Sequence, residues 1–165
     1  MLQPERVFAM GEIPMLWLMP VVVIGADSPL GAAISDTLGG RDGERRAFVT
    51  DPHAAEALRE AGFKVAMGDI SDWTHVEGAA TGAFTAVLVA EAAADGRELA
   101  FASSPEQAVG SWVRAVRDAG GTRVILVGAR RDEPGGVEWA VVDPSGRSPD
   151  DVATEVARLD EAARI

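Results

Sequence analysis

The chain has 165 residues, 47% of them hydrophobic and 25% charged, with no cysteine and a formal net charge of −11. That length suits one domain with its own core, and the missing cysteine excludes disulfides and thiolate metal sites. A surface this acidic repels phosphate backbones and anionic lipid, which points away from nucleic-acid and membrane partners, and favours solubility; a cytoplasmic protein is expected.

Residues 1–18 read as an irregular leader. Met15–Met19 is apolar, but Glu5, Glu12, Pro14 and Pro20 interrupt the region, and it is too short for a membrane helix. The remaining residues, 19–165, read as a single domain. Val21–Ile24 is a continuous β-branched run of the kind that forms a central parallel strand. In the turn Gly25-Ala26-Asp27-Ser28-Pro29-Leu30-Gly31, Ser28 is a good N-cap and Pro29 fits the first helical position. The spacing of Leu30, Ala33, Ile34 and Leu38 predicts a helix to Leu38, stopped by Gly39-Gly40. Strands follow over 45–50, 64–67, 85–90, 122–127 and 137–142, and helices over 54–61, 73–80, 105–119 and 149–163. Residues 91–103 read as a loop lying over the strand ends. This alternation predicts an α/β fold, a Rossmann-like, doubly wound and mostly parallel sheet of about six strands with helices on both faces. Ligands of such folds bind beyond the carboxyl ends of the strands, where the strand order reverses.

The run from Val21 to Gly31 resembles the first strand and glycine loop of atypical short-chain dehydrogenase/reductases, in particular NmrA-like NAD(P)-binding proteins, whose loop reads Gly-Ala-Thr-Gly-x-Leu-Gly. The segments Thr50-Asp51-Pro52, Gly68-Asp69-Ile70-Ser71-Asp72, Gly121–Val127 and Gly136–Gly146 are similar to later family segments. The resemblance covers about residues 20–146 and implies a dinucleotide site built from Gly25, Ala26, Asp27, Ser28, Pro29, Leu30, Gly31, Thr50, Asp51, Asp69, Ile70, Ala90 and Glu91. It implies NAD(H) rather than NADP(H), because an acid at Asp51 accepts from ribose hydroxyls and repels a 2′-phosphate. The nucleotide-gated domains of TrkA-type regulators are a nearby variant, but Asp27 and Leu30 break their Gly-x-Gly-x-x-Gly spacing.

The departures from the family are as informative as the matches. Ser28 replaces the second loop glycine, and Asp27 puts a negative charge beside the phosphate site. The chain has no tyrosine, and Lys64 at the start of a strand is its lysine, so the Tyr-x-x-x-Lys pair of the family is missing. Gly128-Ala129 stands where the family serine would be. No catalytic residue is assigned on this basis, and the enzyme reading leans negative. Only about nine residues separate the fifth and sixth strands, fewer than a helical crossover requires. The sixth strand is therefore expected either to pair antiparallel or to lie in an unusual place.

Two readings stay open at several residues. Asp51 either reads a ribose or caps the next helix. Asp69 and Ile70 flank an adenine, or are a turn acid and a core residue. Glu91, where the nicotinamide end would lie, is functional or replaces a lost ligand. His53 and His75 are read as exposed helix residues, Trp112 as core, and Trp73 and Trp139 as core or interface. No metal site is expected, since two histidines are too few. Three functions remain. The first is a non-catalytic NAD(P)-binding sensor or regulator. The second is a protein-interaction module, as a homodimer or with a regulatory partner, that has lost nucleotide binding. The third is an unorthodox oxidoreductase or epimerase.

Overall fold

The computed structural model describes residues 18–165, so of the leader read over residues 1–18 only Leu18 lies among the described residues. Six strands are present there: β1 (Val21–Ile24), β2 (Arg45–Val49), β3 (Lys64–Met67), β4 (Thr85–Val89), β5 (Arg123–Val127) and β6 (Glu138–Val142). They alternate with helices α1 (Pro29–Leu38), α2 (Pro52–Glu60), α3 (Trp73–Ala80), α4 (Glu91–Ala94), α5 (Pro105–Asp118) and α6 (Pro149–Glu161). Helices α1, α2, α5 and α6 each begin with proline at N1, behind a Ser or Asp whose side chain accepts a first-turn N–H. This pairing suits helix starts because proline lacks the N–H that would be orphaned there. It also moves the start of α2 to Pro52, ahead of the apolar pattern that suggested Ala54.

The sheet order is β3-β2-β1-β4-β5-β6 and every pair is parallel. Strand order reverses between β1 and β4, which opens a crevice beyond their carboxyl ends. Side chains alternate between the two faces. Val22, Ile24, Phe48, Leu88, Val124 and Leu126 pack under α3 and α5, with Trp112 at the centre. Val21, Val23, Val49, Val87, Ile125 and Val127 pack against α1, α2 and α6. Val21 to Ile24 are wholly buried, as a continuous β-branched run in a central strand should be. Trp112 is core as expected, and its indole N–H donates to the Ile70 carbonyl at 2.6 Å. Trp73 is not core, being half-exposed at the start of α3.

The expectation for the sixth strand is corrected. β6 pairs parallel with β5 in ordinary register, from Arg123 opposite Glu138 to Val127 opposite Val142. The crossover has no helix. Five-residue β5 spans roughly 17 Å, and about ten extended residues reach over 30 Å, so the chain can return without one. The returning segment runs back along α5, where Arg131 Nη2 donates to the Glu106 carbonyl at 3.0 Å and Arg117 Nη1 to the Pro134 carbonyl at 3.3 Å. It is an extended strap in the place of a helix.

Candidate functional site

The turn after β1 is sharp because Gly25 adopts φ +87°, a conformation that L side chains rarely take. Gly31, in the first turn of α1, lies against it, and a Cβ on Gly31 would stand 2.0 Å from the Gly25 carbonyl oxygen. A substitution at Gly31 therefore tests the folding of the turn rather than a ligand contact. Ser28 is buried and caps α1: its hydroxyl accepts from the Gly31 N–H at 3.0 Å and donates to the Gly25 carbonyl at 3.2 Å. Ala26 is buried, Pro29 is exposed and has no N–H, and Leu30 is nearly buried.

That leaves the Leu30 N–H as the next donor of the first turn. It is taken by Glu91, whose Oε2 accepts from it at 2.9 Å. Glu91 opens the four-residue α4 directly after β4, on an exposed position. A carboxylate thus sits at the positive end of α1, where the unsatisfied N–H groups and the dipole of a helix favour an anion. The resemblance implied a role for Glu91 at the nicotinamide end. In this structure its carboxylate reaches the first turn of α1.

Asp27 performs a second closure. Its Oδ2 accepts from the N–H groups of Thr50 and Asp51, at 2.8 and 3.0 Å, just past the end of β2. Its Oδ1 pairs with Arg97 Nη1 at 2.8 Å, and the Asp27 side chain is almost completely buried. Arg97 in turn binds Asp95 through Nη2 at 2.6 Å and approaches the Thr50 hydroxyl at 3.4 Å. The hydrogen bond to Asp95 is the main cause of an upward shift in the Arg97 pKa, opposed by burial and reinforced by Asp27. The Arg97 hydrogen bond likewise holds the Asp95 carboxyl below its ordinary value. The negative charge that Asp27 was expected to set against an anion is thus offset by a guanidinium.

Asp69, past the end of β3, tethers the 95–103 segment. Its Oδ1 accepts from the Ser71 N–H and hydroxyl at 2.8 and 2.6 Å, and its Oδ2 from the Ala100 N–H at 3.0 Å. Burial pushes the Asp69 pKa up, but these three donors outweigh it and the net shift is downward. The Ser71 hydroxyl also accepts from the Phe101 N–H at 3.0 Å, so the segment does lie over the strand ends. Ile70 is fully buried in the core. Asp51 caps α2, its Oδ1 accepting from the His53 N–H at 3.0 Å, and its position past β2 leaves it at the crevice edge. Thr50 joins the ends of β2 and β3 by donating to the Gly68 carbonyl at 3.0 Å. Ala90 is half-buried and faces Gly128, where an added Cβ would stand 2.7 Å from the Ala90 Cβ.

His53 and His75 are exposed helix residues, His75 Nδ1 standing 3.5 Å from Asp72. Among the described residues no cluster of three or more His, Asp or Glu is placed to hold a metal, and no helix is long and apolar enough to cross a membrane. Sequence reasoning missed Arg97. Its one signal is a lone cation in the acidic stretch Asp95-Gly96-Arg97-Glu98, which periodicity does not register.

Past the ends of β4 and β5 lies a cavity of about 370 Å³, walled by Ala90, Ala94, Val109 and Leu126 and edged by Glu91, Arg130 and Arg131.

No protein-family model and no curated protein matches the sequence. Solved structures do match over most of the chain. The anaerobillin reductase ChuY of Escherichia coli O157:H7 superposes with a TM-score of 0.65 at 16% identity, over 88% of this chain and 92% of that one. The serine dehydrogenase of Escherichia coli gives 0.62 at 15% identity, over 88% and 92%. A short-chain dehydrogenase/reductase of Veillonella parvula, solved with NADP, gives 0.59 at 13% identity, over 88% of each chain. The chain has the Rossmann fold. Likeness at such low identity establishes the architecture, and the Rossmann crevice between β1 and β4 is where Glu91, Asp27 and Arg97 converge.

Proposed function

We propose that this chain is a non-catalytic, NmrA-like dinucleotide-binding protein, a sensor or regulator, whose cleft is closed by its own side chains until NAD(H) displaces them. The observation that carries this reading is the Glu91 carboxylate on the Leu30 N–H. An anion already occupies the place at the α1 N-terminus that suits a pyrophosphate oxygen. Glu91 is exposed on a short helix, so its departure costs only about 0.3–1 kcal/mol of helix-end and hydrogen-bond energy. The groups that would hold the nucleotide are the Leu30 N–H at the pyrophosphate, Asp51 at the ribose hydroxyls, and Asp69 beside the adenine. Asp27, Asp51 and Asp95 outnumber Arg97 at the β2 end, which disfavours the extra charge of a 2′-phosphate.

A bound nicotinamide would supply hydride chemistry, and the tyrosine that donates the proton in the resembled family is missing from this sequence. Lys64 begins β3, at the edge of the sheet opposite the crevice, and its ammonium is paired with Glu44 at 2.9 Å. Gly128 and Ala129 follow β5. A reducing carbonyl would find no positioned acid in these residues.

One set of contacts favours the second reading, a Rossmann scaffold that has lost nucleotide binding and works through protein contacts. Pro29 has no N–H, Ser28 holds that of Gly31, and Asp27 holds those of Thr50 and Asp51. Calorimetric titration of the full chain and of Glu91→Ala with NAD, NADH, NADP and NADPH separates the two. The expected result is saturable binding of NAD(H) over NADP(H), tightened about two- to fivefold by Glu91→Ala. Binding that the variant leaves unchanged would refute the closure by Glu91. No binding to either protein at millimolar nucleotide would overturn the reading in favour of the second.

A further inference from the structure

The cavity past β4 and β5 has features of its own. Its floor is aliphatic, from Ala90, Ala94, Val109 and Leu126, and its volume of about 370 Å³ falls at the small end of ligand pockets. Arg130 stands at its edge on the strap that replaces a helix, and forms no hydrogen bond or ion pair with a described residue. Arg131 beside it is oriented by one bond, from Nη2 to the Glu106 carbonyl. Of the acids at the rim, Glu91 is hydrogen-bonded to the Leu30 N–H, and Glu106 lies in the first turn of the fourteen-residue α5, whose positive end offsets it. The cavity therefore combines an apolar floor with an uncommitted guanidinium, on a protein whose net charge is −11.

We propose that this cavity binds a small organic carboxylate with a short aliphatic body, its carboxylate paired with Arg130 and its chain lying on Val109 and Leu126. Guanidinium and carboxylate match as planar, two-pronged partners. The apolar body supplies the burial that an exposed ion pair alone does not. Glu91 is the wall shared between this cavity and the dinucleotide cleft. A nucleotide that displaces Glu91 from Leu30 would free a carboxylate at the rim, so nucleotide and carboxylate should antagonise each other reciprocally. Only this antagonism rests on the function proposed above; carboxylate binding does not.

The test uses the full chain without nucleotide, titrated with hexanoate, with 1-hexanol as the uncharged match and hexylamine as the cationic one, followed by heteronuclear NMR shifts at residues 90–94 and 126–131. Hexanoate is expected to bind saturably in the millimolar range or tighter, about tenfold more tightly than hexanol, with hexylamine weakest. Arg130→Met keeps the stem and removes the charge, so it should erase the difference between acid and alcohol. Ala94→Phe, on an exposed position, should block all three probes. Equal binding of hexanoate and hexanol to the unmodified chain, or no saturation by hexanoate up to about 10 mM, would overturn the proposal. Retained acid preference in Arg130→Met would overturn the role of Arg130. If hexanoate binds but NAD neither binds nor weakens it, the carboxylate site stands and the dinucleotide reading falls.

Discussion

Ser28 and Gly31 sit three residues apart and do different physical work. Ser28 answers a hydrogen-bonding demand, because the Gly31 N–H and the Gly25 carbonyl both need a partner inside the turn. Gly31 answers a steric one, since its neighbour is the Gly25 backbone and backbone cannot rotate aside. The two should therefore respond differently to alanine. Ser28→Ala should lower stability by about 1 kcal/mol, the ordinary cost of a lost N-cap. Gly31→Ala should lower it by about 2–4 kcal/mol, because the whole turn must shift. Urea unfolding followed by circular dichroism reads both, and equal losses would show that the close approach at Gly31 is absent in solution. Asp27, between Gly25 and Ser28, belongs to neither class: it holds the end of β2 to the glycine loop through two N–H groups.

At the level of elements, the edge of the sheet depends on one buried guanidinium. Arg123 opens β5 and is fully buried. It donates to the carbonyls of Leu159 and Asp160 at the end of α6, at 2.8 and 2.9 Å, and pairs with Glu138 of β6 at 3.1 Å. Its guanidinium lies 5.3 Å from the centre of the Phe84 ring. One side chain thereby ties β5, β6 and α6 together, which suits an edge strand whose crossover has no helix. Nearby, Arg41 Nε meets the buried Asp160 carboxylate at 2.7 Å and joins the loop after α1 to α6. Removing the Arg123 charge leaves two carbonyls and a carboxylate without it. Arg123→Met should cost about 3 kcal/mol, and hydrogen exchange should show β6 and α6 opening before β1 and β4. Uniform exchange across the sheet would mean that the edge is held by packing alone.

Across the whole molecule, the acidic excess is partly organised into hydrogen-bonded carboxylates. Asp72 and Asp143 are held below their ordinary values, chiefly by the Thr74 hydroxyl and the Ser145 N–H respectively, and Glu44 by Lys64 and then Arg46. Asp69 and Asp95 are lowered as well. A carboxylate with a lower pKa folded than unfolded stabilises the fold above its unfolded value, and that stability is lost as the pH falls through the folded value. The ordinary values here are 3.8 for the aspartates and 4.5 for Glu44, so the loss begins near there and deepens below. The urea midpoint should be nearly level from pH 7 to pH 5 and fall steadily below about pH 4. Asp69→Asn should make that fall shallower, and a midpoint unchanged from pH 5 to pH 3 would contradict the account.

Local chemistry made much of this protein legible. Val21–Ile24, the Ser28-Pro29 and Asp51-Pro52 starts and the helical spacing of α5 each follow from propensity, capping and periodicity, which act within a few residues. The parallel α/β order follows from their alternation. The direction of β6 did not, because a short connection suggests a hairpin, and only the length of extended chain laid along α5 permits the parallel return. The site divided in the same way. The glycine loop was readable, since its residues are adjacent in the chain. Glu91 on Leu30, and Arg97 on Asp27, join residues separated by 61 and 70 positions, and no local pattern records such a pairing. Whether a helix N-terminus lies open to an anion or is already filled is decided by which distant carboxylate the fold carries to it.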